Sequence, residues 1–491
     1  MSGRTSGTGH APSVDPADPF RRRAADERAA RVRFRRAIAL MVMTLVVPGS
    51  AQLVAGNRRL GRVAMRVWFG VVMVGLVSIG VAIVHHPYGI WLVSDTGALA
   101  VMRFGLIALA LGWALLIVDA WRIGQPLTLS YQHRRAVIGV NGVLCFAVTG
   151  ALLFGAHLVN VQRDLLVTMF GDGAAVDASD GRYNVLLLGG DAGAGRWGLR
   201  PDSLTLASID AETGKTVLIS LPRNMSNFPF RDGSVMDREF PDGFDCDDCY
   251  LNAVSTWAGD HTDLFRKSEH PGIDATVMAV EGITGLEVNY WAMVNLEGFK
   301  DLVDAFGGVT LNVREPIPVG LPHESYFRYI EPGVRQLDGV ETLWFSRARY
   351  GSDDYSRMAR QKCVMNAMLQ QVTPQTAFRN FAKIAKASSE MVSTSIPTSE
   401  VNRFLELGLK AKEQPVATLS LVPPQVNTGD PDIDEVHEMV GLAVDRAEGD
   451  APQATTPKKK KQQQGGTTGG SIGSLADGYA ANQSADLGAS C

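Results

Sequence analysis

Tyr183-Asn184-Val185-Leu186-Leu187-Leu188 runs into Gly189-Gly190-Asp191, and a second apolar run begins just after Asp202. The first run is apolar without alternation and stops at paired glycines. It therefore predicts a buried strand that opens into a loop. Leu204 to Ile209, a turn over Asp210 to Lys215, and Thr216 to Ser220 predict a hairpin beside it. Ala275 to Thr284 and Leu296 to Phe306 have helical spacing, with strands expected near Tyr290 to Val294 and Val309 to Val313. Helices are expected over Gly339 to Tyr350 and Tyr355 to Val372, and a last strand, Ala417 to Val422, stops at Pro423-Pro424. Strands alternating with helices in this way predict a layered α/β/α domain over residues 182–425.

The strand before Asp191 places its carboxylate at the mouth of the sheet, where ligands of α/β folds usually bind. Asp202 starts the next strand. Two carboxylates converging on one edge suit a hard divalent cation such as Mg²⁺, which takes oxygen ligands and often shares them with phosphates. The same spacing also fits two solvated loop aspartates. Downstream, Ser346-Arg347-Ala348-Arg349 is followed by Arg357, Arg360 and Gln361. Arg347 and Arg349 lie two apart, so they do not share a helical face but fit a helix end or an extended edge. Arg357 and Gln361 share a face at i,i+4, whereas Arg360 lies round the helix from Arg357. Arginine suits phosphate because its planar fork donates paired hydrogen bonds and stays charged. The competing reading is a solvated basic helix face paired with Asp353, Asp354 and Glu341.

The formal net charge of −4 hides an uneven layout: eight arginines fall between Arg21 and Arg36, and four lysines stand at Lys458 to Lys461. The arginine block adjoins apolar segments, so it reads as a cytoplasmic membrane anchor and not as a nucleic-acid-binding arm. No cleavable signal peptide is expected, because the first 36 residues are polar and the apolar region behind them is repeated. A hydrocarbon core of ~30 Å needs about 20 residues, and spans are predicted over about 67–84, 104–121 and 136–159. Arg58, Arg59, Arg62 and Arg66 precede the first span, residues 85–102 carry no Lys or Arg, and the next loop holds Arg122, Arg134 and Arg135. The positive-inside rule then places the N-terminus in the cytoplasm and the large C-terminal part outside. Residues 37–56 are expected to form an interfacial or re-entrant helix broken at Pro48. The remaining divisions are a disordered segment over 1–36, a linker over 161–181, and a C-terminal extension from 426 with a disordered low-complexity tail from about 450.

Of five cysteines, Cys246 and Cys249 form a CxxC in the exported part, where oxidation is favoured, so a local disulfide is expected. A zinc site with His261 and His270, or a redox CxxC, fits the surroundings less well. Cys363 is expected to be a buried thiol. Ser203 has no histidine near it in sequence and reads as a turn or strand-start residue.

Asn184 to Ser203, Leu221-Pro222-Arg223, Leu251-Asn252-Ala253, the run from Gly298 to Val309, Leu337-Asp338-Gly339 with Phe345 to Arg349, and Arg357 to Gln361 together resemble the LytR-CpsA-Psr cell-wall ligases over about residues 182–375. The resemblance implies an α/β architecture in which an N-terminal multi-span helical membrane region is followed by an exported three-layer α/β/α domain with a central mixed sheet. It implies a Mg²⁺-dependent phosphotransferase that takes a glycopolymer from a polyprenyl-pyrophosphate carrier and joins it to peptidoglycan through a phosphodiester. By matching position, Asp191 and Asp202 are the metal-associated carboxylates. Arg200, Arg223, Arg347, Arg349, Arg357 and Gln361 are the pyrophosphate grip, with Arg360 second in rank. Asp191, Asp202, Arg200 and Arg347 are expected to carry the chemistry. Asn224 stands where the family usually has an acid, and Asn227 where an arginine often follows, with Arg231 a possible substitute. Val277, Val280, Ile283, Phe299, Leu302 and Trp344 read first as ordinary core and second as candidates for an apolar slot that takes the carrier's tail. A sensor that captures polyprenyl phosphates without turnover, and a lipid-pyrophosphate hydrolase, are the alternatives.

Overall fold

The computed structural model describes residues 19–170, 174–190, 200–350, 352–371 and 392–449, together with 482, 485 and 487. The chain divides into two compact units, one running essentially to Val161 and the other from Gln162. In the first unit, α1 (Pro19–Val46) and α2 (Ser50–Ala55) are separated at Pro48-Gly49, as the sequence predicts for residues 37–56. Gly49 has φ +92, and a Cβ there would lie 2.8 Å from the Gly61 carbonyl, so glycine permits both the turn and the close approach. The arginine-rich segment, expected to be disordered, is helical from Pro19 onward. Next come α3 (Arg58–Val84), α4 (His86–Ser94), α5 (Thr96–Ile123) and α6 (Tyr131–Met169). Three helical stretches are long and apolar enough to cross a membrane: Arg58–Val84, Thr96–Thr128 and Tyr131–Asp164. They enclose the three expected spans. α4 occupies the segment expected to be a loop, and α6 absorbs the first part of the expected linker.

The second unit is built on a six-stranded mixed sheet. Its strands are β1 (Arg182–Gly190), β2 (Pro201–Asp210), β3 (Thr216–Leu221), β4 (Tyr290–Asn295), β9 (Val392–Thr394) and β10 (Ala417–Ser420), in the order β10-β3-β2-β1-β4-β9. β1 pairs antiparallel with β2 and parallel with β4. Alternate residues serve the two faces. Leu186, Leu188, Leu204, Leu206, Val217 and Ile219 join the core that holds Ile273, Ala279 and Val280 of α9 (Pro271–Thr284) and Val436 of the C-terminal helix Ile433–Glu448. Ala207 and Leu218 turn the other way, towards Met365 and Leu369 of α12 (Asp354–Gln371). The sheet is thus covered on both sides, the three-layer arrangement expected, and the unbroken apolar runs of β1 and β3 reflect burial of both faces.

α7 (Val235–Glu239) and α8 (Val254–Asp260) lie between β3 and α9 in sequence. α10 (Leu296–Phe306) begins at Asn295, whose side chain accepts from the Gly298 amide at 2.7 Å, and ends at Gly307 with φ +90. A separate small core lies beyond it. β5 (Val309–Val313) pairs with β8 (Gly333–Leu337), and β6 (Ile317–Val319) with β7 (Arg328–Ile330). Their inner residues pack with Phe345 of α11 (Gly339–Arg347) and with Cys363, Val364 and Ala367 of α12. β6 to β9 were not expected, and α11 stops at Arg347 where a helix to Tyr350 was predicted. Asp338 caps α11 by accepting from the Glu341 amide at 2.8 Å, and Asp353 caps α12 through Ser356 at 3.0 Å.

The two remaining helices are α13 (Val401–Lys412) and α14 (Ile433–Glu448). Near the C-terminus, the Thr418 amide donates to Ala485 at 2.9 Å and the Leu487 amide to Val416 at 3.0 Å, while Asn482 and Leu487 are buried. Part of the tail is therefore held against the β10 edge of the sheet.

α9 approaches the Pro229-Phe230 segment so closely that a Cβ on Gly282 would lie 2.3 Å from the Pro229 carbonyl. Gly282→Ala should destabilise the chain by about 1–3 kcal/mol. Gly259→Ala on α8, which would meet nothing within 4 Å, should not. Thermal unfolding of the detergent-solubilised chain checks both.

Candidate active site

Asp202 is the second residue of β2, next to the irregular register at Gly189-Gly190, so its side chain leaves the sheet at the edge where β1 ends. Arg223 follows β3 directly. Its Nη1 lies 2.5 Å from Asp202 Oδ1 and its Nε 3.3 Å from Asp354 Oδ1. Asp354 is the first residue of α12, and its carboxylate also takes Arg357 Nε at 3.2 Å and Nη2 at 3.0 Å. Arg349 Nη1 stands 4.0 Å from the same carboxylate. Arg357 Nη1 donates to the Asp202 backbone carbonyl at 2.7 Å. β2, the segment after β3, the extended segment after α11 and the start of α12 thus meet at one carboxylate.

Electrostatics follow the geometry. Burial raises the Asp354 carboxyl, but Arg357, then Arg223 and Arg349, outweigh it and hold its pKa below the ordinary carboxylate value. Burial, and then repulsion from Arg223 and Arg357, lowers Arg349. Among the described residues three guanidinium groups face two carboxylates here, so one positive charge is left over among them. Arg349 is the member turned outward, its side chain 51 % exposed.

The remaining sequence-assigned residues take distinct places. Arg200 is exposed and reaches Asn252 Oδ1 at 3.5 Å, beside the Arg223 backbone to which the Asn252 amide donates. Gln361 accepts from Ser203 Oγ at 3.2 Å and donates to the Ser346 carbonyl at 3.2 Å, tying α12 to β2 and to α11. Arg347 lies over the Trp344 ring at 5.4 Å. It also acts electrostatically on the Tyr326 hydroxyl, so it faces the β6–β7 side. Asp191 lies outside the described residues.

Several expectations are corrected. Arg360 is fully buried and donates to the carbonyls of Phe345 and Ala348, so it braces the end of α11 and cannot grip a ligand; burial pushes its pKa down to about 10. Arg231 pairs with Glu281 at 3.0 Å, away from this cluster, so it does not replace the missing arginine. Asn227 donates to Asp430 at 2.6 Å. The apolar-slot candidates divide between two cores: Val277, Val280 and Ile283 with the main sheet, Phe299 and Trp344 with the small one. A different crevice opens beneath the cluster, where Asp202, Ser203, Arg357 and Gln361 give way to Leu204, Leu221, Met358 and Met365. Cys246 and Cys249 are joined as expected, whereas Cys363 is disulfide-bonded and not a free thiol. The residue that sequence reading undervalued is Asp354. From the sequence it enters only in the competing reading, as a partner of a solvated basic helix face, yet its side chain is 19 % exposed and holds the cluster together.

The LytR_cpsA_psr family model matches residues 156–439, more than half of the chain. The chain belongs to the LytR_cpsA_psr family. Among curated relatives of this family member, Biofilm regulatory protein A of Streptococcus mutans is 29% identical over 237 residues, covering 47% of this chain and 53% of that one. The polyisoprenyl-teichoic acid–peptidoglycan teichoic acid transferase TagU of Bacillus cereus is 26% identical over 220 residues, covering 44% and 62%. This chain thus spans about half to three-fifths of the length of these relatives. The crystal structure of B. subtilis TagV aligns over 56% of this chain and 100% of that one, at 22% identity and a TM-score of 0.39.

Because Asp354 has a depressed pKa, its contribution to stability is complete above the unfolded carboxylate value of about 3.9 and is lost as pH falls through the lower, folded value. Asp354→Asn should therefore lower stability at neutral pH by about 1–3 kcal/mol. It should also flatten the acid limb of the stability–pH curve, as read by thermal unfolding between pH 2 and 7.

Proposed function

We propose that this protein is a membrane-anchored phosphotransferase that moves a glycopolymer from a polyprenyl-pyrophosphate carrier to peptidoglycan, with the arginine cluster of the exported domain as its pyrophosphate grip. One observation carries the reading: three guanidinium groups packed about Asp354 and Asp202 leave an uncompensated positive charge, and Arg349 presents it outward. A bridging diphosphate supplies the missing negative charge and more acceptor oxygens than any side chain. The relatives named as teichoic acid transferases support the same chemistry.

Arg349, Arg223 and Arg200 bind the diphosphate oxygens in this reading, while Arg357 and Gln361 hold the floor through Asp354, Asp202 and Ser203. Phosphoryl transfer is mostly positioning and charge stabilisation, so a site of this kind needs no covalent nucleophile.

For Mg²⁺, the donor set fits in a limited way. Asp202 is 36 % exposed and gives Oδ1 to Arg223, and among the described residues no contact engages Oδ2. No cluster of three His, Cys, Asp or Glu occurs among the described residues. Mg²⁺ usually binds through one or two carboxylates plus phosphate oxygens and waters, not in a protein cage. Asp202 would hold the ion, together with Asp191 as the family resemblance implies, and the ion would neutralise charge on the phosphoryl oxygens. The three apolar helices anchor the chain, with the arginine-rich N-terminus on the cytoplasmic side.

The test is to incubate the full chain with Mg²⁺, a lipid-pyrophosphate-linked glycan and peptidoglycan oligomers. Covalent glycan on peptidoglycan is expected; phosphorylated glycan released into solution would indicate hydrolysis, and capture without turnover a sensor. Arg349→Ala and Asp202→Ala should each lower transfer by about 100-fold or more, and full activity in both would refute the site. With inorganic pyrophosphate present, Mn²⁺ binding followed by electron paramagnetic resonance should weaken in Asp202→Asn.

A further inference from the structure

The hairpin formed by β6 and β7 is anchored on the segment that carries two of the arginines. Ile317, Val319 and Ile330 are buried in the small core with Phe345 and Ala348, the residues flanking Ser346 and Arg347. Outside that anchor the hairpin is aromatic. Phe327 meets Tyr329 edge to face at 5.1 Å, and Tyr350, the residue after Arg349, at 6.4 Å and 87°. Tyr326 lies against Gly320, whose φ is +86 and where a Cβ would come within 2.9 Å of the ring. The Tyr326 hydroxyl bonds Glu324, and Arg347 is within electrostatic reach of it. Tyr326, Tyr329 and Tyr350 are 54 %, 43 % and 58 % exposed. Rings so placed are large apolar surfaces left in water, each with a polar rim, and such patches usually mark binding sites.

We infer that Tyr326, Phe327 and Tyr350 form a sugar subsite for the glycan attached to the diphosphate, continuous with Arg347 and Arg349. This rests on the diphosphate reading of the arginine cluster and adds to it the surface that recognises the carbohydrate. A pyranose ring has an apolar C–H face that packs on an aromatic ring, and hydroxyls at its edge that bond groups such as the tyrosine hydroxyls and the Glu324 carboxylate. The first sugar is joined covalently to the phosphate, so its place is fixed beside whichever arginines hold that phosphate. Tyr350 follows Arg349 directly in the chain, and the Phe327–Tyr350 contact joins the hairpin's rings to it. Carbohydrate is favoured over a bilayer surface by charge. Glu324, the exposed Glu331 and the Arg328–Glu341 pair at 3.1 Å leave the hairpin's flank mixed in charge, whereas interfacial anchors combine aromatic rings with an excess of Lys or Arg.

The test uses the full chain in nanodiscs and two probes, inorganic pyrophosphate and N-acetylglucosamine 1-phosphate, titrated calorimetrically. Tyr350→Ala and Tyr326→Ala change exposed side chains. Each should weaken the sugar phosphate by about five- to tenfold and pyrophosphate by less than about twofold, with Tyr350→Phe retaining most of the affinity. If the wild type binds both probes but the variants change neither, or weaken both equally, the sugar subsite is refuted while the phosphate grip stands. If the wild type binds neither probe, the phosphate reading itself fails. With 3-fluorotyrosine incorporated and the Tyr350 signal assigned by Tyr350→Phe, broadening of that signal by doxyl-labelled phosphatidylglycerol would place the face on the bilayer and overturn the inference.

Discussion

Guanidinium groups repel one another, and three of them do not stay within reach of a single anion site unless something negative is built between them. In this protein that element is the Asp354 carboxylate. It takes Nε and Nη2 of Arg357, Nε of Arg223 and the long-range pull of Arg349, and it sits at the first turn of a helix. A carboxylate at a helix N-terminus is favoured by the helix dipole, so α12 helps to keep it charged. Its partial burial strengthens each attraction at the cost of desolvation, and the net effect is a carboxyl more acidic than usual. The strands and helices that supply the arginines can therefore be separate in sequence and still converge.

The cations fall into two groups by what they touch. Arg357 and Arg360 are buried and saturated by protein oxygens, so they fix the start of α12 and the end of α11. Arg349 and Arg200 are exposed, and Arg223 lies between the two groups. A site arranged in this way has rigid charges behind and free charges in front. Preorganised donors of this kind lose little on meeting an anion, because their reorganisation was met during folding. The division also explains why the end of α11 matters. Ala348 leaves the helix with ψ 133, and this change of direction is what turns Arg349 outward while Arg347 stays against Trp344.

The parts of this arrangement that were legible in the sequence are those governed by period and punctuation. β1, β2 and β3 announce themselves because unbroken apolar runs end at glycines and a turn, and burial of both sheet faces is what such runs reflect. The break at Pro48 and the three long apolar helices were legible for similar reasons. β6 and β7 were not, because strands of three residues among prolines and glycines carry no period to read. Arg360 was misassigned because helical spacing tells which residues share a face but not which face is buried. Asp354 was undervalued for the converse reason. Beside arginines an aspartate reads as a surface partner, and only the tertiary meeting of β2, Arg223 and α12 makes it the centre.

Asp202 sits where the two roles of the site compete. Its Oδ1 is held by Arg223, which orients the carboxylate and also draws charge away from it as a ligand. A divalent ion at the other oxygen would sit close to Arg223 and Arg349, and two unit charges at 4 Å still interact by about 4 kcal/mol at an effective dielectric of 20. Metal and arginines can therefore share the site only when something strongly anionic lies between them. A diphosphate carries that charge, whereas a single neutral sugar does not. On the proposed function, metal binding would follow the arrival of the phosphorylated substrate, and the contacts of Arg357, Gln361 and Ser203 hold the start of β2 in place before it.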